Sequence, residues 1–235
     1  MIEVRVVCAD LRLGSAGFAR CQSILDAEER ERAARFLRET DRQRFVASHA
    51  ALRVVLGRAL DLPPRSIQFA KEPTGRPYLL GGGVDAPDFN LSHSGDHALI
   101  GLVRGARIGT DVEVWRPLPD ALRIARAHFA SDEIAALAAL PATALRAAFF
   151  SLWTRKEAVV KAIGAGLLLP LSDFTVTVPP DPPALLRIAG AADRWTLRQI
   201  TLGADVSATI AVTANPATLR IDHLAGNWAN TFDEK

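Results

Sequence analysis

The sequence predicts an α+β protein of two similar α+β halves related by pseudo-two-fold symmetry, with a ligand site between them. Three observations carry this expectation. Short runs alternate apolar and polar residues at period two. Two long blocks carry apolar residues at helical spacing. The order strand, helices, strands occurs twice along the 235 residues. The halves divide into residues 1–105 and 106–235, and no residue-level repeat accompanies the repeated order.

Residues 2–8, IEVRVVC, alternate as a strand. The block from residue 26 to 60 is strongly helical, broken near Thr40-Asp41, with Asp26 as N-cap and the sequence DLPP as its stop. Short strands follow at 67–70, at 78–79 after a Gly-Arg-Pro turn, at 89–92 and at 97–103, where Ser94-Gly95-Asp96 makes a tight hairpin turn. ARIGTDVEVW is a further strand. Helices are expected at 120–139, broken around Ala130-Ser131, and at 143–163, ended by Gly164 and Gly166. Strands return at 174–178, 185–188, 195–200 and 206–212, with VPPDPPA as a rigid loop.

Composition narrows the function classes. Hydrophobic residues make up 49% and charged residues 23%, the balance of a globular protein with a sizeable core. A net charge of +2 is too small to argue for nucleic acid. No apolar run is long enough to span a bilayer, and the N-terminus carries no signal-like stretch, so no membrane role and a cytoplasmic location are expected. The two cysteines, Cys8 and Cys21, suggest neither a disulfide framework nor a zinc site.

Chemistry concentrates in three stretches. In WTRKEAVVK, Glu157 shares a helical stripe with Phe149, Phe150, Trp153 and Val160, where a carboxylate is costly unless a cation meets it. In IGTDVEV, Asp111 and Glu113 project from one strand face and repel unless a cation bridges them. Taken singly, these stretches also fit a solvated sheet face and an ordinary Glu157–Lys161 helix pair. Together they offer three oxygen donors without His or Cys, a set that suits a hard ion, Mg²⁺ before Ca²⁺ or Mn²⁺, and with it a phosphorylated substrate. In FNLSHSGDH, His93 lies among Asn90, Ser92 and Ser94, small polar groups that suit a phosphate. Arg76 in its turn can reach an anion, while Arg32, Arg35 and Arg44 lie on the first helical block, where a solvated face is the simpler reading.

FNLSHSG, IGTDVE and WTRKEAVVK, in this order, resemble the motifs of the 4′-phosphopantetheinyl transferases of the surfactin-synthetase-activating (Sfp-like) type. GAGLLLPLSDFTV and, more loosely, ARFLRETDRQRFVASHAALRVVL are similar as well, so the likeness runs from about residue 30 to 178. It implies transfer of 4′-phosphopantetheine from coenzyme A to a serine of an apo acyl or peptidyl carrier protein, itself small, acidic and helical. It implies Mg²⁺ at Asp111, Glu113 and Glu157, with Glu157 deprotonating the serine directly or through water. It places Ser92 and His93 at the 3′-phosphoadenosine end of coenzyme A, and Lys161 on a coenzyme phosphate. Arg76 falls where many relatives have lysine. Arg32 and Arg44 fit the nucleotide side, and Lys156 joins the binding set as part of the matched motif. Phe45 stands where some relatives have threonine, and Thr110 replaces an aliphatic residue on the strand face opposite the carboxylates. A chain holding both halves of the site is expected to act as a monomer. A different Mg²⁺-dependent phosphotransferase or phosphodiesterase, and a non-catalytic binding module, remain the alternatives.

Overall fold

The computed structural model describes residues 2–83, 85–190, 192–224 and 226–232. The chain opens with β1 (Ile2–Asp10) and continues through α1 (Ser15–Ile24), α2 (Ala27–Ala34) and α3 (Glu39–Leu60). A ribbon follows, β2 (Phe69–Lys71) with β3 (Pro77–Leu79), and then the hairpin β4 (Asp88–Ser94) and β5 (His97–Val103). After β6 (Ile108–Val114) come α4 (Ala121–His128), α5 (Ser131–Ala138) and α6 (Ala142–Ile163). The last strands are β7 (Thr175–Val176), β8 (Leu185–Arg187), β9 (Thr196–Gln199), β10 (Val206–Val212) and β11 (Ala217–Leu224).

Local chemistry accounts for the boundaries. Asp26 caps α2 in a reciprocal box: its carboxylate accepts from the Glu29 N–H, and the Glu29 carboxylate accepts from the Asp26 N–H. The expected break in the first helical block falls earlier than Thr40-Asp41, between Ala34 and Glu39. Gly95 takes φ +54° in the two-residue turn of the β4–β5 hairpin, as that turn requires. Gly164 closes α6 in the left-handed conformation.

Two sheets form the frame, in the strand orders β11-β1-β5-β4 and β6-β10-β9. Helices α1 and α3 cover the first around Phe45, Leu56 and Ile100, and α6 packs on the second around Phe149, Leu152 and Val159. A third apolar cluster is common to both sheets, with Val4 and Val6 of β1 meeting Ile108 and Val112 of β6 and Ile210 of β10. The C-terminal segment reaches back across the division at residue 105/106. β11 returns to the first sheet and pairs parallel with β1, and Trp228 and Phe232 enter the first core. α1 and β11 are elements the sequence reading did not anticipate.

The edges of the two sheets meet through side chains. The alternate β4 residues Asp88, Asn90, Ser92 and Ser94 accept the backbone N–H groups of Ile108, Thr110, Val112 and Val114 on β6, at 2.7, 2.8, 3.3 and 3.1 Å. Buried edge N–H groups need acceptors, and a polar strand supplies them where a backbone ladder is missing. Gly109 lets α6 approach β6 from the other side: a Cβ there would lie 2.0 Å from the Ala158 carbonyl oxygen. The motif glycine thus sets how near Glu157 and Lys161 come to Asp111.

Candidate active site

Asp111 lies at the junction of β4, β6 and α6, only 4% exposed. Its Oδ1 accepts from Lys161 Nζ at 2.5 Å and from Ser92 Oγ at 3.1 Å, whereas Oδ2 is buried with no hydrogen-bond partner. Burial raises its pKa although Lys161 and Ser92 oppose the shift. Glu113, half-buried, accepts from Ser94 Oγ at 3.1 Å, and its pKa is raised by burial and by the Asp111 charge. Glu157 is raised by burial and by both other carboxylates, with Lys161 acting against it. The three acids therefore feel one another across the junction, and a cation placed there would relieve each of them.

Among the described residues, no three His, Cys, Asp or Glu side chains form a ready-made metal cage. The donor chemistry nonetheless fits a hard divalent ion. All three candidates offer oxygen, and the unpartnered Asp111 Oδ2 is a buried acceptor awaiting a positive group.

Beside the acids lies a cavity of about 560 Å³. Ser92, His93 and Lys161 line it together with Arg32 and His49 and the carboxylates Asp26, Glu28 and Glu29, and Phe69 with Phe89 gives the lining an apolar part. His93, open to solvent at its edge, has its pKa lowered by partial enclosure and by its neighbours His49, Lys161, Arg32 and Arg44. Arg32 and Lys161 give this space groups that can meet an anion.

Not every expected residue reaches this space. Arg76 is buried, and its two terminal nitrogens donate to protein acceptors, namely Asp88 at 2.7 Å, the carbonyls of Phe89 and Ile108 at 3.1 and 2.8 Å, and the Lys161 carbonyl, while Nε has no partner. It clips β4, β6 and α6 together, which corrects its reading as an anion contact. Lys156 is corrected as well. It is fully buried, donates to Glu133 at 2.7 Å and the Phe174 carbonyl at 2.7 Å, and lies 4.2 Å from the Phe174 ring centroid. Burial pushes its amine down to about 8. Arg44 pairs with Asp96 at 2.9 Å, and Arg35 bonds Glu31 one turn before it. Arg32 stacks over Phe45, 5.1 Å from the ring centroid. Thr110 faces away from the carboxylates, its hydroxyl donating toward Asn90 and the Leu99 carbonyl. His49 and Lys71 line the cavity unannounced by any motif.

Three interacting acids, beside a cavity lined by Arg32, Lys71 and Lys161 together with Asp26, Glu28 and Glu29, make a site suited to a charged, polar ligand. Comparison with known proteins narrows the class. A family model described as the 4′-phosphopantetheinyl transferase superfamily matches residues 107–213, and one described as 4′-phosphopantetheinyl transferase, N-terminal, matches residues 14–102. The 4′-phosphopantetheinyl transferase HetI of Nostoc is 35% identical over 80% of this chain and 78% of its own. The transferase Sfp of Bacillus subtilis is 32% identical over 69% of this chain and 70% of its own. A putative transferase of Synechocystis reaches 40% identity over 62% of this chain, but the match spans only 59% of that protein. A holo-[acyl-carrier-protein] synthase structure from Thermotoga maritima overlaps 45% of this chain and 61% of its own at TM-score 0.37 and 17% identity, too slight a likeness for residue comparison. The chain belongs to the 4′-phosphopantetheinyl transferase superfamily and is an enzyme of that kind.

Proposed function

We propose that this enzyme moves 4′-phosphopantetheine from coenzyme A to a serine hydroxyl of an apo acyl or peptidyl carrier protein and releases 3′,5′-ADP. The observation that carries the proposal is the unpartnered buried Asp111 Oδ2, set among interacting acids beside the cavity that Lys161, His93 and Arg32 line. Asp111, Glu113 and Glu157 would hold Mg²⁺, and the ion would supply charge neutralisation for the pyrophosphate. A set of three oxygen donors suits Mg²⁺, which keeps waters and takes phosphate oxygens as further ligands.

In the reaction, the serine oxygen forms a bond to the phosphorus that carries pantetheine. The bond from that phosphorus to the bridging oxygen breaks, and the electron pair leaves with 3′,5′-ADP. Glu157, with a raised pKa, is the residue poised to take the serine proton, directly or through water. Lys161, already beside Asp111, can turn its ammonium to a phosphate oxygen as charge builds on the leaving group. Ser92 fixes Asp111, and His93 with Arg32 faces the nucleotide.

The test is to follow 3′,5′-ADP from coenzyme A in the presence or absence of apo carrier protein, with Mg²⁺ or with EDTA. Release that requires both carrier and Mg²⁺ is expected. Release without carrier would indicate a phosphodiesterase, and binding with no release would indicate a non-catalytic module.

A further inference from the structure

The helix-side wall of the cavity contains a group that no motif announces. His49 Nδ1 lies 2.9 Å from Glu29 Oε1, and since a carboxylate only accepts, Nδ1 is the donor. Glu29 has little freedom to move. Its Oε2 receives Arg53 Nε at 2.6 Å and the capping N–H of Asp26 at 3.1 Å. Arg53 is fully buried and bonds Asp26 and the carbonyls of Pro64 and Ile67 as well. Phe45 holds the other side of the imidazole, with ring centroids 4.0 Å apart. The ring is thus fixed at Nδ1 and by stacking, and Nε2 is left for the cavity that His49 lines with Arg32 and His93.

We infer that His49, oriented by Glu29, is a second recognition group for the 3′-phosphate of coenzyme A and sets the preference for coenzyme A over its 3′-dephospho form. The inference rests on the proposed coenzyme A reading of the same cavity. Coenzyme A has two anionic groups. The pyrophosphate belongs with the acids and Lys161, so the donors of the helix side, Arg32 and His49, remain for the 3′-phosphate, and the apolar lining of Leu52, Phe69 and Phe89 suits the adenine between them. With Nδ1–H committed to Glu29, Nε2 is the ring atom left to meet a phosphate oxygen, to which it donates when it carries a proton. Glu29 is a positioning residue here and His49 a binding one.

The test compares wild type with His49→Ala and His49→Gln in two assays. One measures kcat/KM with coenzyme A and with 3′-dephospho-coenzyme A. The other measures calorimetric binding of 3′,5′-ADP and of 5′-AMP, which needs no turnover. In His49→Ala the preference for the 3′-phosphorylated partner of each pair should fall about tenfold, as for loss of one charge-assisted hydrogen bond. His49→Gln, a smaller change to packing, should lose much of the same preference. An equal loss with both members of a pair would mean that His49 only supports the fold, and an unchanged preference in both variants would also overturn the inference. If wild type transfers nothing yet binds 3′,5′-ADP in a His49-dependent way, the transferase reading fails and the His49 assignment stands.

Discussion

At the scale of single residues, Asp111 shows how a functional position departs from what folding alone would select. Its second carboxylate oxygen is buried and unpartnered, and its charge raises the pKa of both Glu113 and Glu157. Such a cluster stores unfavourable energy that a bound cation releases. Glu157→Gln removes one of the mutually repelling charges. It should leave the melting temperature equal or higher while lowering turnover by about 10²–10³-fold, the usual cost of losing a group that acts in the transition state. Parallel thermal unfolding and steady-state kinetics check both halves of that expectation. His93 offers a pH signature. Its lowered pKa means the folded state binds less of this proton than the unfolded chain does, so the fold loses stability as pH falls through the imidazole range. Binding of 3′,5′-ADP should raise this pKa, so that affinity improves on acidification, as a proton-detected titration of the imidazole would report. The acids and His93 stand out as candidates because a carboxylate on an apolar stripe and a histidine among small polar residues are anomalies in sequence. Arg76 and Lys156 were misread because their partners, Asp88 and Glu133, lie 12 and 23 residues away and no periodicity links them.

At the scale of elements, β4 and β6 decide the site. The polar alternation of β4 reads in sequence as a ligand-facing strand. In the structure those side chains first serve the backbone of β6, and Ser92 and Ser94 reach Asp111 and Glu113 as a consequence. Gly109 makes the matching allowance on the α6 side. Gly109→Ala would set a methyl against the Ala158 carbonyl and push α6 off the strand. The expected cost is about 1–3 kcal/mol, with a loss of activity larger than the loss of folded protein at assay temperature. Denaturant unfolding beside activity per folded molecule separates the two effects. Helices α3 to α6 were legible from their strong periodicity and stops. α1 was not, because its buried Gly17, Cys21 and Ile24 make a thin apolar stripe without a capping side chain.

At the scale of the whole molecule, the two sheets share a core and the C-terminal segment closes the first sheet. β11 is mostly exposed, so its alternation announces no partner, and its pairing with β1 spans more than 200 residues of chain. That long reach is why element order alone does not announce the return of β11 to the first sheet. A chain ending at residue 214 would expose the β1 edge and the surface beneath Trp228 and Phe232. It should lose cooperative unfolding altogether, although every proposed site residue lies before the cut. Circular dichroism and solubility of that truncation test the claim. No helix among the described residues is long and apolar enough to cross a membrane.

The most direct measurement is the intact mass of an apo carrier protein after incubation with coenzyme A, Mg²⁺ and this enzyme, with the modified residue located by fragmentation. One phosphopantetheine on one serine, formed by wild type and lost in Asp111→Ala, is the predicted result. An unmodified carrier across acyl and peptidyl types, or modification that persists undiminished in Asp111→Ala, would contradict it.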